Sequence, residues 1–300
     1  MQKQHALWGY LFALCATAIW SGNFIIARGL TESISPISLA FWRWVVAVIV
    51  LLPFAIKPLI AEWGILKKNL PYLSITALLG ITTFNTLIYF AGHTTTAINL
   101  SLISITFPIF IVILSRFLYC EAITLNKGVG ILLVAAGIIF LITKGTPSIL
   151  LQLSFAIGDL WMLMAAIIFA IYSLLLKRRP DRVSIWALQL STFILGLIFL
   201  LPFFIWDWTN TSPTVLDTRT IFAILYVGIF ASLSAFILWN KAIVVIGPVK
   251  AGMVYYTLPL FSGILASMFL QEGIGMVHFY SALLIVSGIF TANYKANSVK

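Results

Sequence analysis

From residue 7 to residue 294 the chain alternates between long apolar runs and short polar punctuation. A membrane-spanning helix needs about 20 predominantly apolar residues. Ten runs qualify: 7–28, 37–56, 71–92, 97–118, 125–143, 156–176, 184–205, 221–243, 248–270 and 276–294. The two longest polar interruptions, 57–71 and 206–220, are too short to hold a soluble domain. The pattern therefore predicts an all-α membrane protein with ten transmembrane helices.

The runs repeat. "FPIFIVILSRFLYCE" at 107–121 is echoed by "LPLFSGILASMFLQE" at 258–272, each with a Pro followed thirteen residues later by Glu. Gly9 matches Gly158 and the "LLPF" at 51–54 matches that at 200–203, both at an offset of 149. Gly80 matches Gly228 at 148, and Pro108, Glu121 and Gly137 match Pro259, Glu272 and Gly288 at 151. The expected organisation is two five-helix repeats, residues 1–147 and 154–296. Five is odd, so the second repeat enters the membrane in the opposite sense to the first, giving an inverted-topology pair suited to alternating access.

Charge sets the expected orientation. With the N-terminus in the cytoplasm, fourteen of the eighteen Lys and Arg residues fall on the inner side, and Arg28, Arg43, Lys144 and Arg219 on the outer side. The positive-inside rule then places both termini in the cytoplasm. Composition agrees with a bilayer environment, with 62% hydrophobic and 9% charged residues. A soluble domain carries about 25% charged residues. The net charge of +10 is spread over short loops, which fits membrane asymmetry and argues against a nucleic-acid partner. Cys15 and Cys120 read as packing residues, with no disulfide and no metal-ligand spacing. No cofactor is expected.

The segments "AIWSGNFIIARGL", "SPISLAFWRWVVAVIVLLP", "TTAINLSLISITFPIF" and "EAITLNKGVGILLVAAGIIFLI", with "GPVKAGMVYYTLPLFSGILASMFLQEGIGMVHFYSALLIVSGIF" in the second half, carry a likeness. The chain resembles EamA-type members of the drug/metabolite transporter superfamily over residues 7–294. The resemblance implies a multi-pass protein of a bacterial inner membrane that moves small solutes. It also implies a cavity lined by helices one, three, four, six, eight and nine. The likeness is less close at two places: Gly247–Pro248 corresponds to Thr96–Ala97, and the Leu-Gly usual before the Glu is Tyr119–Cys120 and Leu270–Gln271.

On those helices the candidate lining residues are Trp20, Asn23, Asn85, Tyr89, Ser104, Tyr172, Ser234, Tyr255 and Tyr256. Polar groups in lipid are costly unless they face protein or water. The bland alternative for each is hydrogen bonding between helices. Asn23 and Tyr172 are repeat mates, as are Ser104 and Tyr255, and each pair is expected on opposite walls of one site. Pro108 and Pro259, near the middle of helices four and nine, are expected to kink them and act as hinges. Glu121 and Glu272 are expected to cap or anchor the following helices. Arg43 is read as a residue snorkelling to the headgroups, the alternative being a partner for a substrate carboxylate. Trp42, Trp44, Trp206 and Trp208 read as an interfacial belt. His93, at a helix end, is read as a solvated residue rather than a proton carrier.

All eight acids lie in loops or near helix ends. That disfavours a carboxylate-centred cation/proton antiporter and favours neutral, zwitterionic or aromatic solutes. The leading reading is a secondary transporter, an exporter or facilitator of amino acids or related metabolites. The competitors are a channel-like facilitator and an intramembrane enzyme. The second lacks a reactive cluster, since His5, His93 and His278 are scattered and no Asp pair exists. The sequence is compatible with a monomer and leaves the oligomeric state open.

Overall fold

The computed structural model of the chain describes residues 2–95, 100, 103, 104, 106–143, 145, 146, 148, 156–211, 217–261, 264 and 276–293. Among these residues the chain is helical, with no strand. We number the helices α1 (Gln2–Gly29), α2 (Pro36–Ala61), α3 (Trp63–Lys68), α4 (Leu70–Thr94), α5 (Phe107–Tyr119), α6 (Leu125–Ile142), α7 (Ile157–Leu176), α8 (Ile185–Asn210), α9 (Thr218–Ile246), α10 (Pro248–Tyr255) and α11 (Met276–Asn293). Five of them, α2, α4, α7, α8 and α9, are long and apolar enough to cross a membrane. The shorter helices α5, α6 and α11 are also apolar.

Helix starts follow local chemistry. Ser35 and Ser184, at an offset of 149, both stand before a helix with φ −66° and ψ 155°. Each hydroxyl accepts the backbone N–H three residues on, from Ser38 and Ala187. That satisfies one of the donors a helix start leaves open. Between α9 and α10 the chain turns at Gly247, whose φ of 81° would strain any residue with a Cβ. The "LLPF" prolines, Pro53 and Pro202, lie inside α2 and α8 without ending them. The stretch at 57–71, read as a polar interruption, is mostly helical: α2 runs to Ala61 and α3 follows. Likewise α8 extends to Asn210.

Packing pairs α2 with α8, α6 with α11, α1 with α9, and α4 with α7. With little hydrophobic drive between helices in lipid, close van der Waals fit and small residues decide such contacts. The α6–α11 crossing is an example. A Cβ on Gly130 would lie 2.5 Å from the Gly288 carbonyl oxygen, and one on Gly137 would lie 3.0 Å from that of Ser281. Gly130 stands to Ser281 as Gly137 stands to Gly288, at 151, so the two close approaches are repeat equivalents.

Helices α4 and α9 each widen into a π-helical segment, Leu78–Thr83 and Val227–Ser234. The segments begin 149 residues apart and end 151 apart. The change of repeat offset seen in the sequence therefore falls inside them. A π segment leaves backbone carbonyls without their usual partner, and in a membrane side chains must supply one. They do so here. Trp44 Nε1 donates to the Ile81 carbonyl and Trp20 Nε1 to that of Ala231, at 3.0 and 2.9 Å. Ser232 and Ser234 hydroxyls donate to the Val227 and Ile229 carbonyls.

The breaks before Pro108 and Pro259 differ from the kinks expected. Each proline is the second residue of a new helical stretch that follows a turn, at Thr106 and at 256–257. There its missing N–H is no loss. Thr106 and Thr257 hydroxyls each donate to the carbonyl three residues back, of Ile103 and Val254, at 2.6 and 2.8 Å.

Candidate functional site

The interior is crossed by a layer of rings. Trp20 of α1 meets Phe169 of α7 edge-on at 5.4 Å, with Phe236 and Trp239 of α9 at 5.7 and 5.4 Å. Phe84 of α4 stacks on Phe169 at 4.1 Å. Phe107 of α5 lies 4.9 Å from both Phe169 and Tyr255 of α10. The helices expected to surround a space thus each contribute a ring to a packed partition. Centroids this close leave no room for a solute between them. Trp20 and Phe169 are repeat mates in direct contact, as are Ser104 and Tyr255, which share a hydrogen bond.

Two polar networks flank the partition. In the first, Arg43 is wholly buried. Its Nε donates to Ser232 Oγ at 2.6 Å and its Nη1 donates to the Tyr89 hydroxyl. Tyr89 in turn donates to Asn23 Oδ1 at 3.2 Å. The guanidinium lies 5.1 Å from the Trp44 ring, within cation–π range. In the second, the Tyr172 hydroxyl donates to Asn240 Oδ1 at 3.2 Å, and Asn240 Nδ2 donates to Gln189 Oε1 at 2.5 Å. The Tyr–Asn contact appears in both with the types exchanged. Asn23 corresponds to Tyr172 at 149, and Tyr89 to Asn240 at 151. Each network also holds one buried donor without a partner among the described residues, Arg43 Nη2 and Gln189 Nε2.

The remaining predicted residues fall as follows. Asn85 donates to the Gly80 carbonyl of its own π segment at 3.3 Å. Ser234 is half-buried and bonds its own segment. Tyr256 is buried away from the rings, with Val112, Val134, Ile138, Met253 and Ile285. Asn23 and Tyr172 belong to different networks rather than to facing walls of one space. Glu272 lies outside the described residues.

Several single-residue expectations change. Trp44 is no belt residue: it is buried against Phe193 and Phe236. Trp206 and Trp208 are exposed, while Trp42 is half-buried beside Phe204. Arg43 does not snorkel, because its guanidinium is held inside the bundle. Cys15 and Cys120 are exposed and free, so neither is a packing residue. Sequence reasoning passed over Gln189, Ser232 and Phe84. An amide inside a spanning helix, costly in lipid unless it finds a partner, was the signal that could have found Gln189.

The two ends of the bundle are latched. At one, Asp207 at the end of α8 accepts hydrogen bonds from the hydroxyls of Ser35 and Ser38, the latter at 2.7 Å. In the first turn of α7, Asp159 accepts from the Thr95 hydroxyl and from the Ala156 N–H at 2.7 Å. At the other, Glu62 at the end of α2 accepts the Ser184 N–H at 2.8 Å. There too Lys177 pairs with Glu121 at 2.8 Å, so Glu121 ties α5 to α7 rather than capping α6. Burial alone would raise the Glu121 pKa. Hydrogen bonds from Lys177 and Ser115, with the charges of Lys177 and Lys127, outweigh it and hold the carboxyl below its ordinary value. Next to this pair a cavity of about 400 Å³ is lined by Lys127, Lys177, Lys250, Gly247 and Pro248.

Known proteins place this architecture. The profile of the EamA-like transporter family matches residues 7–143 and again 156–294. An uncharacterized transporter of Archaeoglobus fulgidus is 26% identical over 95% of this chain and 97% of its own length. The uncharacterized transporter YetK of Bacillus subtilis is 27% identical over 95% and 87%. Protein PecM of Dickeya dadantii is 24% identical over 93% of this chain and 92% of its own length. One protein of known crystal structure, 19% identical, superposes over 95% of this chain and 96% of its own with a TM-score of 0.71, a likeness of fold alone. With both halves matched, spanning helices and transporter relatives along nearly its full length, the chain is an integral membrane protein that belongs to the EamA-like transporter family.

Proposed function

We propose that this transporter moves a small organic solute, an amino acid or related metabolite, by alternating access between two inverted five-helix repeats. In this reading it resides in a bacterial inner membrane with both termini in the cytoplasm. The observation that carries the reading is the ring partition with a polar network on either side and a latch at either end. A pore would need a continuous polar path. A carrier needs a closed centre and two sets of contacts that break in turn. The repeat-equivalent contact, Tyr89–Asn23 with Tyr172–Asn240, and the repeat-equivalent serines Ser35 and Ser184, each bound to an acid at its own end of the bundle, support two end states built from similar parts. Trp20, Asn23, Asn85, Tyr89, Ser104, Tyr172, Ser234 and Tyr255 are then groups a solute meets once the rings part, with the breaks before Pro108 and Pro259 as hinges. The structure described here corresponds to a closed form in that cycle.

Counterflow tests the proposal. Purified protein in liposomes loaded with unlabelled amino acids should accumulate a labelled substrate transiently, faster than empty liposomes do. Equal uptake with and without internal substrate indicates a channel and overturns alternating access.

A further inference from the structure

We infer that Arg43 is the site for a substrate carboxylate, so that the transported solute is an acid or a zwitterion carrying a free carboxylate. The inference rests on the transporter reading above and names its substrate class. The case begins with charge. A guanidinium stays protonated in proteins, and Arg43 is 0% exposed. It sits seven residues into α2, roughly 10 Å from the start of that helix. No described carboxylate pairs with it; the Lys177–Glu121 ion pair lies elsewhere, at the bundle end. Its partners Ser232 and Tyr89 are neutral, and Trp44 offers only a ring face. A full charge buried without a counter-ion is strongly unfavourable. Ionisable residues within a membrane mark substrate or ion pathways.

The geometry says where an anion would bind. Nε and Nη1 are spent on protein partners, while Nη2 has none among the described residues. The fork of a guanidinium matches a carboxylate, by two parallel N–H···O bonds or one. An arriving carboxylate would take the Nη2 donor and compete for Nη1. The Tyr89 hydroxyl, displaced from Nη1, keeps its bond to Asn23 Oδ1. The guanidinium also lies 5.1 Å from the Trp44 ring and 5.5 Å from the Tyr89 ring, so the rest of the solute would meet aromatic faces, which suits an apolar or aromatic side chain. The repeat equivalent of Arg43 is Thr192, so the second half carries no matching charge. Solute orientation is thereby fixed by one end. Gln189 Nε2, the orphan donor of the other network, is a neutral counterpart that cannot substitute for it.

The experiment compares matched ligands on wild-type protein in detergent by thermal shift. L-phenylalanine, L-leucine, L-threonine and L-glutamine are each tested beside their carboxamides and their decarboxylated amines. The acid of at least one set should stabilise, with its amide and amine weaker by tenfold or more. Arg43→Lys should weaken the acid while keeping its preference over the amide. Arg43→Gln should abolish the preference. If either variant fails to fold, the wild-type ligand pairs still decide. An amide or amine that stabilises as well as its acid overturns the carboxylate assignment and leaves the transporter reading intact. Full preference retained in Arg43→Gln overturns the role of Arg43. Silence of every compound, with no counterflow from any of them, counts against both.

Discussion

Ser35 and Ser184 stand at opposite ends of the α2–α8 pair in the same backbone conformation, and each binds the acid that ends the other helix. Ser35 donates through its hydroxyl to Asp207, and Ser184 through its backbone N–H to Glu62. Asp207 is nearly as buried as the core and also holds the Ser38 hydroxyl at 2.7 Å. The two latches are therefore unequal, the Asp207 end having two hydroxyl donors to one acid.

Removing a donor from the stronger latch should be felt as stability. Ser38→Ala should lower unfolding free energy by about 1.5–3 kcal/mol, the range for a hydrogen bond to a charged group. Ser35→Ala adds the loss of a helix cap and should cost about 1 kcal/mol more. Thermal melts of the two variants in one detergent check the order. Equal melting of Ser38→Ala and wild type would show that the Asp207 contact contributes nothing.

The α6–α11 crossing admits no side chain. Gly130→Leu and Gly288→Leu should each destabilise by about 1–3 kcal/mol or more, because the new atoms meet backbone and not a movable side-chain tip. Gly128, with open space around it, is the control, and Gly128→Leu should be neutral. Size-exclusion profiles after heating separate the three.

The Lys177–Glu121 pair predicts a pH dependence with a definite sign. The Glu121 pKa is lowered in the folded protein from an ordinary 4.5. Its stabilisation is therefore full above that ordinary value and disappears as pH falls through the folded one. Both side chains are partly exposed, so solvent screening limits the effect to less than about 1 kcal/mol. Glu121→Gln should melt slightly below wild type at pH 7, and the gap should shrink as pH falls below the ordinary 4.5. A gap that widens in acid would contradict the assignment.

Sidedness is checked by labelling. In intact cells a membrane-impermeant thiol reagent should reach Thr211→Cys and not Asp181→Cys, both built on a background lacking Cys15 and Cys120. Both positions are exposed, so access depends on the side alone. Labelling at 181 alone would invert the orientation.

What could be read from the sequence followed from length and repetition. Apolar runs of about 20 residues have few alternatives to helix, and a repeated offset survives loss of identity. What could not be read was facing. Trp42 and Trp44 are two residues apart, and a helix turns them to different sides, so identical chemistry goes to a half-buried surface and to the core. Arg43 is conspicuous in the sequence, but its own helix does not reveal how it is held. The atoms that hold it belong to Ser232 and Tyr89, far along the chain. Composition does not say whether aromatic side chains surround a void or fill it, so packed rings cannot be told from the walls of a space. The π segments left no trace beyond the change of repeat offset that falls inside them.

Those π segments bear on how the two halves have drifted apart. An α-helix turns about 100° with every residue, so two extra residues would swing everything beyond them well off its face. Yet Tyr89 and Asn240, beyond segments of six and eight residues, each close a 3.2 Å bond to the matching partner. The widened turns have taken up the difference in length. Sequence length is thus negotiable within 227–234, where an insertion or deletion can be reabsorbed. The same change a turn later would swing Trp239 and Asn240 out of register with the first half.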